Sequence, residues 1–194
     1  METNTNNLYL FKALETYPWE LEKAVEALNY ALSYNPNSVK ALCLMARVHW
    51  EQLGDYETAK SYYEKALAIN IEATFIYPDY IMVLIHSHDF KEAQMLIDFA
   101  LSIKGIDKAL IQLYQAYLFE ALEDYDAAKK ALKNAKQLSM NNDFSFYVDD
   151  VLARVDKKRK EKNNAERAMK DEDKNEVDKN ASNNWFKNSL NGLL

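Results

Sequence analysis

Small and large apolar residues return along this chain at intervals of 34 or 35. Ala24, Ala59, Ala93 and Ala128 form one column, and Ala31, Ala66, Ala100 and Ala135 form a second, seven residues behind. Between them runs a column of larger residues, Leu28, Tyr63, Ile97 and Leu132. Positions i, i+4 and i+7 share one face of an α-helix. Alanine at two of the three admits a neighbouring helix closely, and the larger residue fills the remaining space. A fixed period of this length is the signature of a repeat array.

Each such helix has a start signal. Leu21, Tyr56, Phe90 and Tyr125 are preceded by Glu20, Asp55, Asp89 and Asp124. Aspartate is a good N-cap, and a negative charge there suits the helix dipole. Asp89 followed by Glu92 matches a capping box. A second apolar stretch precedes each helix, as in Lys40–Gln52 with Leu42, Met45, Ala46 and His49, and in Asp107–Leu122. Gly54 separates the two helices of the second unit, and Pro36 ends the first. The pattern therefore predicts four helical hairpins.

The stretch Val39–Asn70, with LGDYETA followed by Tyr63 and Ala66, resembles the tetratricopeptide repeat family, and the resemblance extends over about residues 5–140. It implies an all-α, right-handed α-solenoid of four helix-turn-helix repeats. Pro18-Trp19, His88 and Glu123 depart from the family's turn glycine. Pro78 falls inside an expected first helix and predicts a late start or a kink there.

Beyond the repeats, Phe144, Tyr147, Val148, Val151, Leu152 and Val155 recur at helical spacing. They predict a capping helix over 144–155 that closes the open end of the array, completing a domain over 5–155. Residues 156–184 are almost all Lys, Asp, Glu and Asn, which predicts a charged flexible tail, with any helix fraying near residue 170. The run Lys157–Lys160 reads as a solvated helix end. A ribosome- or nucleic-acid-associated factor using the cations of 157–162 is the alternative. Residues 185–194 form a short apolar segment whose Trp185, Phe186, Leu190, Leu193 and Leu194 share a stripe. It either docks in the chain's own groove, in the groove of another copy (giving a self-assembling structural protein) or on a partner, or stays free.

Composition narrows the classes. Apolar residues make up 48% of the chain, enough for a core, and only 3 Gly and 3 Pro disfavour a turn-rich β fold. A net charge of −6 opposes general nucleic-acid binding. The polar start METNTNN and the lack of an apolar run of 18 residues predict no membrane span and a cytoplasmic setting. The single Cys43 excludes an intramolecular disulfide and reads as a small buried or groove-lining thiol. His86 and His88 lie two apart, and Asp149 and Asp150 are adjacent on a helix, so neither pair converges on a metal or a reacting atom. Three scattered glycines make no phosphate loop. These observations predict no catalysis, no metal, no cofactor and no small-molecule substrate.

The functional surface is then a matter of shape. The resemblance implies that the first helix of each repeat lines an inner groove. Carried over by position, the inward face includes Tyr9, Ala13, Lys40, Cys43, Arg47, Trp50, Met82, Ile85, Tyr114, Tyr117 and Glu120. The anchors expected to bind a partner are Tyr9, Lys40, Arg47, Trp50, Tyr114 and Tyr117, a mix of cations and aromatics in an acidic chain. They suit a protein or peptide with apolar side chains and at least one acid. Lys40 and Arg47 also match cations of the family's carboxylate clamp, but Ala13 and Leu44 stand near its asparagine positions, so that activity is not carried over. The expected role is a protein-interaction scaffold or adaptor, with homo-oligomerisation possible through the apolar C-terminal segment.

Overall fold

All four alanines of each column, and the large residues between them, are fully buried: Ala59, Tyr63 and Ala66 of the second repeat each expose 0% of their surface. The computed structural model describes the backbone of residues 2–191 and the side chains of residues 8–167. Its elements are α1 (Glu2–Thr16), α2 (Leu21–Tyr34), α3 (Val39–Arg47), α4 (Tyr56–Ile69), α5 (Ile76–His86), α6 (Phe90–Ser102), α7 (Lys108–Ala121), α8 (Tyr125–Leu138) and α9 (Asn142–Asn191). A π-helical turn, Val48–Gln52, continues α3. No strand occurs among the described residues.

Consecutive helices pair as hairpins (α1 with α2, α3 with α4, α5 with α6, α7 with α8), and each hairpin stacks on the next. The chain is an all-α repeat solenoid. Its core is continuous in kind: Leu28 and Met45 join the first two repeats, Tyr63, Ile81 and Ile97 the middle ones, and Leu132 with Val151 the last repeat and α9. Removing one of these large side chains to alanine costs about 2–5 kcal/mol, because the stacked helices cannot collapse onto the gap.

Two of the four expected caps form, at Asp55 and Asp124, while Glu20 and Asp89 make no side-chain cap. Asp55 accepts from the Thr58 amide at 3.0 Å and Asp124 from the Ala127 amide at 3.0 Å. Asp107 does the same for Leu110 at 3.1 Å. Asp89 makes no side-chain cap, so the capping box with Glu92 does not form. Its carboxylate turns instead to Lys60 Nζ at 2.7 Å and Ser87 Oγ at 2.6 Å. That ties α6 to α4 of the preceding repeat.

The hairpin turns explain the departures from glycine. Gly54, His88 and Glu123 occupy equivalent positions with φ of 65°, 64° and 57°. The backbone demands the left-handed conformation at each, closed in repeats three and four by Asp89 N–H to Leu84 C=O and Asp124 N–H to Phe119 C=O, both 2.9 Å. Pro78 behaves as expected. Helix α5 begins at Ile76, so Pro78 sits in its first turn, where an amide has no helical acceptor to lose.

The helix that begins as the expected cap continues past Val155. Helix α9 runs on to Asn191. Val148, Val151 and Val155 are buried against α7 and α8, as a capping helix requires. Beyond them charge takes over: Asp156 pairs with Lys129 at 2.8 Å, Arg159 with Asp126 at 2.8 Å and Lys162 with Glu123 at 3.1 Å. These partners lie on α8 or in the turn before it, so ions anchor the segment where apolar residues run out. The stripe expected over 185–194 lies outside the residues whose side chains are described.

Candidate functional site

The first helices of the repeats share an inner face with two hollows. One, of about 310 Å³, is lined by Leu10 and Leu14 of α1, Lys40, Cys43, Leu44 and Arg47 of α3, and Phe75 and Asp79 of α5. The other, of about 440 Å³, is lined by Met82, Ile85 and His86 of α5, Tyr117, Glu120 and Ala121 of α7, and Arg154 and Lys158 of α9. Asp79, Met82 and His86 lie at helical spacing on α5, so one stripe of that helix connects the hollows.

In the first hollow the charges balance. Arg47 Nε lies 3.2 Å from Glu51 and 3.8 Å from Asp79, and its guanidinium sits over the Tyr17 ring at 5.4 Å. The Tyr17 hydroxyl donates to Glu51 in turn. Burial raises the Asp79 carboxyl above its ordinary value, against the opposing pull of Arg47. Cys43 is buried, and desolvation, with the nearby Asp79 charge adding to it, pushes its thiol up to about 12. Such a thiol stays protonated and is a packing group rather than a nucleophile.

In the second hollow they do not balance. Glu120 exposes 9% of its side chain and accepts from Arg154 Nη2 at 2.7 Å, from Arg154 Nε at 3.1 Å and from Lys158 Nζ at 2.8 Å. Burial alone would raise this carboxyl, but the hydrogen bonds from Arg154 and Lys158 outweigh it and hold it below its ordinary value. Two cations share one acid. The Arg154 guanidinium also lies 5.7 Å over the Tyr117 ring, whose hydroxyl meets that of Tyr147 at 2.6 Å.

The expected anchors divide accordingly. Lys40 and Arg47 line the first hollow and Tyr117 the second. Arg47 is engaged by two acids, so it is not the open cation the sequence suggests. Tyr9 is turned into its own hairpin, stacked on Tyr30 at 5.1 Å and Tyr34 at 5.7 Å. Trp50 packs on the central core with its ring 6.0 Å from His86, and Tyr114 packs beside Tyr117. Neither lines a hollow. Ala13 is fully buried core. Arg154 and Lys158 are not among the expected anchors; Lys158 belongs to the Lys157–Lys160 run, and the i,i+4 spacing puts Arg154 on the same face of α9. His49 is half-buried, its Nδ1 3.3 Å from Asp55, and Asp149 accepts from Lys136 at 2.6 Å, so both have structural partners. Among the described residues no group of three His, Cys, Asp or Glu side chains is placed to hold a metal. No described helix is long and apolar enough to cross a membrane.

Residues 39–70 match the tetratricopeptide repeat family model. No curated protein sequence matches the chain significantly. The fold is shared with Pseudomonas aeruginosa pilF, at 19% identity and a TM-score of 0.70 over 82% of this chain and 71% of that one. It is shared with MamA 41-end from Desulfovibrio magneticus RS-1, at 16% identity and a TM-score of 0.61 over 84% of this chain and 96% of that one. A tetratricopeptide repeat protein from Parabacteroides merdae ATCC 43184 is similar over 82% of this chain and 63% of that one, at 17% identity and a TM-score of 0.62. Residues 39–70 are thus similar to a tetratricopeptide repeat, and the columns that recur on either side of them, with the fold common to these structures, support a chain built from repeats of that kind.

Proposed function

We propose that this protein is a non-catalytic scaffold that holds a segment of a partner protein along the groove formed by α1, α3, α5, α7 and α9. One observation carries the reading: the inner face joins two hollows whose walls are mostly apolar and whose rims carry Lys40 at one end and Arg154 and Lys158 at the other. Apolar side chains of a ligand would supply most of the affinity, and the rim charges would orient it. A reducing, cytoplasmic setting belongs to the same proposal and accords with a single, buried thiol. The alternative of nucleic-acid binding through 157–162 is disfavoured, because Arg159 and Lys162 pair with acids of the last repeat and the chain carries a net charge of −6.

The test is site-specific photo-crosslinking in native extract. A photoreactive residue replacing Met82, in the groove, is expected to capture a defined partner. The same residue replacing Lys133, exposed on α8, is expected not to capture it. Equal capture of that partner from both positions removes the groove from the reading. Capture of a second copy of the chain at Met82, lost when residues 185–194 are deleted, replaces the scaffold with self-assembly.

A further inference from the structure

We propose that the second hollow is an acid-accepting end of the groove, and that it selects partner segments in which an aspartate or glutamate lies beside an apolar residue. This rests on the scaffold reading and adds a direction to it. Around the first hollow, Arg47 pairs with both Asp79 and Glu51, so that with Lys40 on the rim two cations stand against two acids. Around the second, Arg154 and Lys158 face Glu120 alone. One positive charge is therefore left over at one end only, so a ligand's acid has one preferred place.

The donors are there to use the surplus. Arg154 commits Nε and one Nη2 hydrogen to Glu120, and Lys158 commits one of its three N–H groups. Their side chains remain 49% and 48% exposed, so the remaining donors reach the groove. Glu120 is the opposite, 9% exposed and fixed by three hydrogen bonds, so it acts as an internal tether that holds both cations in place before a ligand arrives. Met82, Ile85 and Tyr117 supply the apolar wall next to them. The cations come from the capping helix and not from a repeat, so the site depends on α9 staying docked. The chain's own segment 185–194 carries Lys187 and no acid, which makes it a poor charge match.

A random 12-residue peptide display library, selected on the full-length protein, tests the proposal. Wild type is expected to enrich peptides with an acid next to a large apolar residue. Lys158→Gln, which leaves the Arg154–Glu120 pair intact, is expected to bind those peptides roughly five-fold more weakly. Replacing the peptide's acid by its amide should produce the same loss in wild type and no further loss in Lys158→Gln. Lys133→Gln is expected to change nothing. Acid-containing peptides whose affinity is untouched by Lys158→Gln overturn the site. Enriched peptides that lack acids yet are blocked by Met82→Glu overturn the site while leaving the scaffold. Enrichment of sequences like Trp185–Leu194 gives the hollow to a second copy. Displacement of the peptides by a short RNA, lost in Lys158→Gln, gives it to nucleic acid. If no peptide binds, both readings fail.

Discussion

The two halves of the described part of α9 are held to the solenoid by different forces. From Asn142 to Val155 the helix is attached by buried valines that meet Leu132 and the alanine column of α8. From Asp156 to Lys162 it is attached by ion pairs to Lys129, Glu120, Asp126 and Glu123. The first half shields an apolar face that any repeat array leaves at its end. The second adds no residue to that apolar core and instead carries charge, through Lys158, to the rim of the groove. One helix therefore serves as lid and as recognition element, and the two roles are expected to separate under mutation, pH and salt.

The largest effect belongs to the first half. Val151 is 3% exposed, so Val151→Asp places a carboxylate where no partner waits. A loss of roughly 3–5 kcal/mol is expected, from the buried charge and the lost methyl contacts together. Hydrogen exchange should show the loss concentrated in α7, α8 and α9, with α1–α4 retaining protection, because a solenoid transmits stability between neighbours. Uniform loss of protection would mean that the cap stabilises the whole array rather than its end.

An intermediate effect belongs to Glu120, where the halves meet. Its folded carboxyl is held below its ordinary value. A group of this kind contributes stability that is present above the unfolded carboxylate range and lost as pH falls through the lowered folded value. Glu120→Gln should therefore be less stable than wild type at pH 7, by about 1–2 kcal/mol, and the gap should close below the carboxylate range. Adding 1 M salt should narrow the same gap while leaving the Val151→Asp penalty in place. Thermal melts across pH and salt check both arms. A pH-independent gap would show that Glu120 acts by packing.

The sequence spoke clearly about whatever repeats and poorly about whatever pairs across repeats. Ala24, Ala59, Ala93 and Ala128 are legible because four helices solve the same contact with the same residue. Caps at Asp55 and Asp124 are legible because a cap is local. Arg154 with Glu120, and Lys162 with Glu123, are pairs 34 and 39 residues apart, and no i,i+4 rule reaches them. The groove suffers from the same limit. Tyr9, Trp50 and Tyr114 have the right residue type on the right helices, but the rotation of each helix against its neighbour decides whether an aromatic faces ligand or core. Asp89 shows it at a cap, where Lys60 from the previous repeat outcompetes the local amide.

The smallest effect is the sharpest measure of the ionic half. His88 and Glu123 both hold a left-handed backbone that costs an ordinary residue about 1 kcal/mol, and glycine relieves it. His88→Gly is expected to gain about 0.5–1 kcal/mol, since the His88 ring contributes only an edge contact to Phe90 at 5.5 Å. Glu123→Gly relieves the same strain but deletes the carboxylate that holds Lys162 at 3.1 Å, leaving Lys162 the residue-123 carbonyl at 3.2 Å and the Tyr125 ring at 5.6 Å. Its gain should be smaller by a few tenths of a kcal/mol, the ordinary worth of an exposed pair. Matched chemical denaturation of the two variants reads that difference directly, and 1 M salt should abolish it. Equal gains at low salt would mean that Lys162 contributes nothing through the Glu123 carboxylate and that the ionic half of α9 is anchored by Glu120, Asp126 and Lys129 alone.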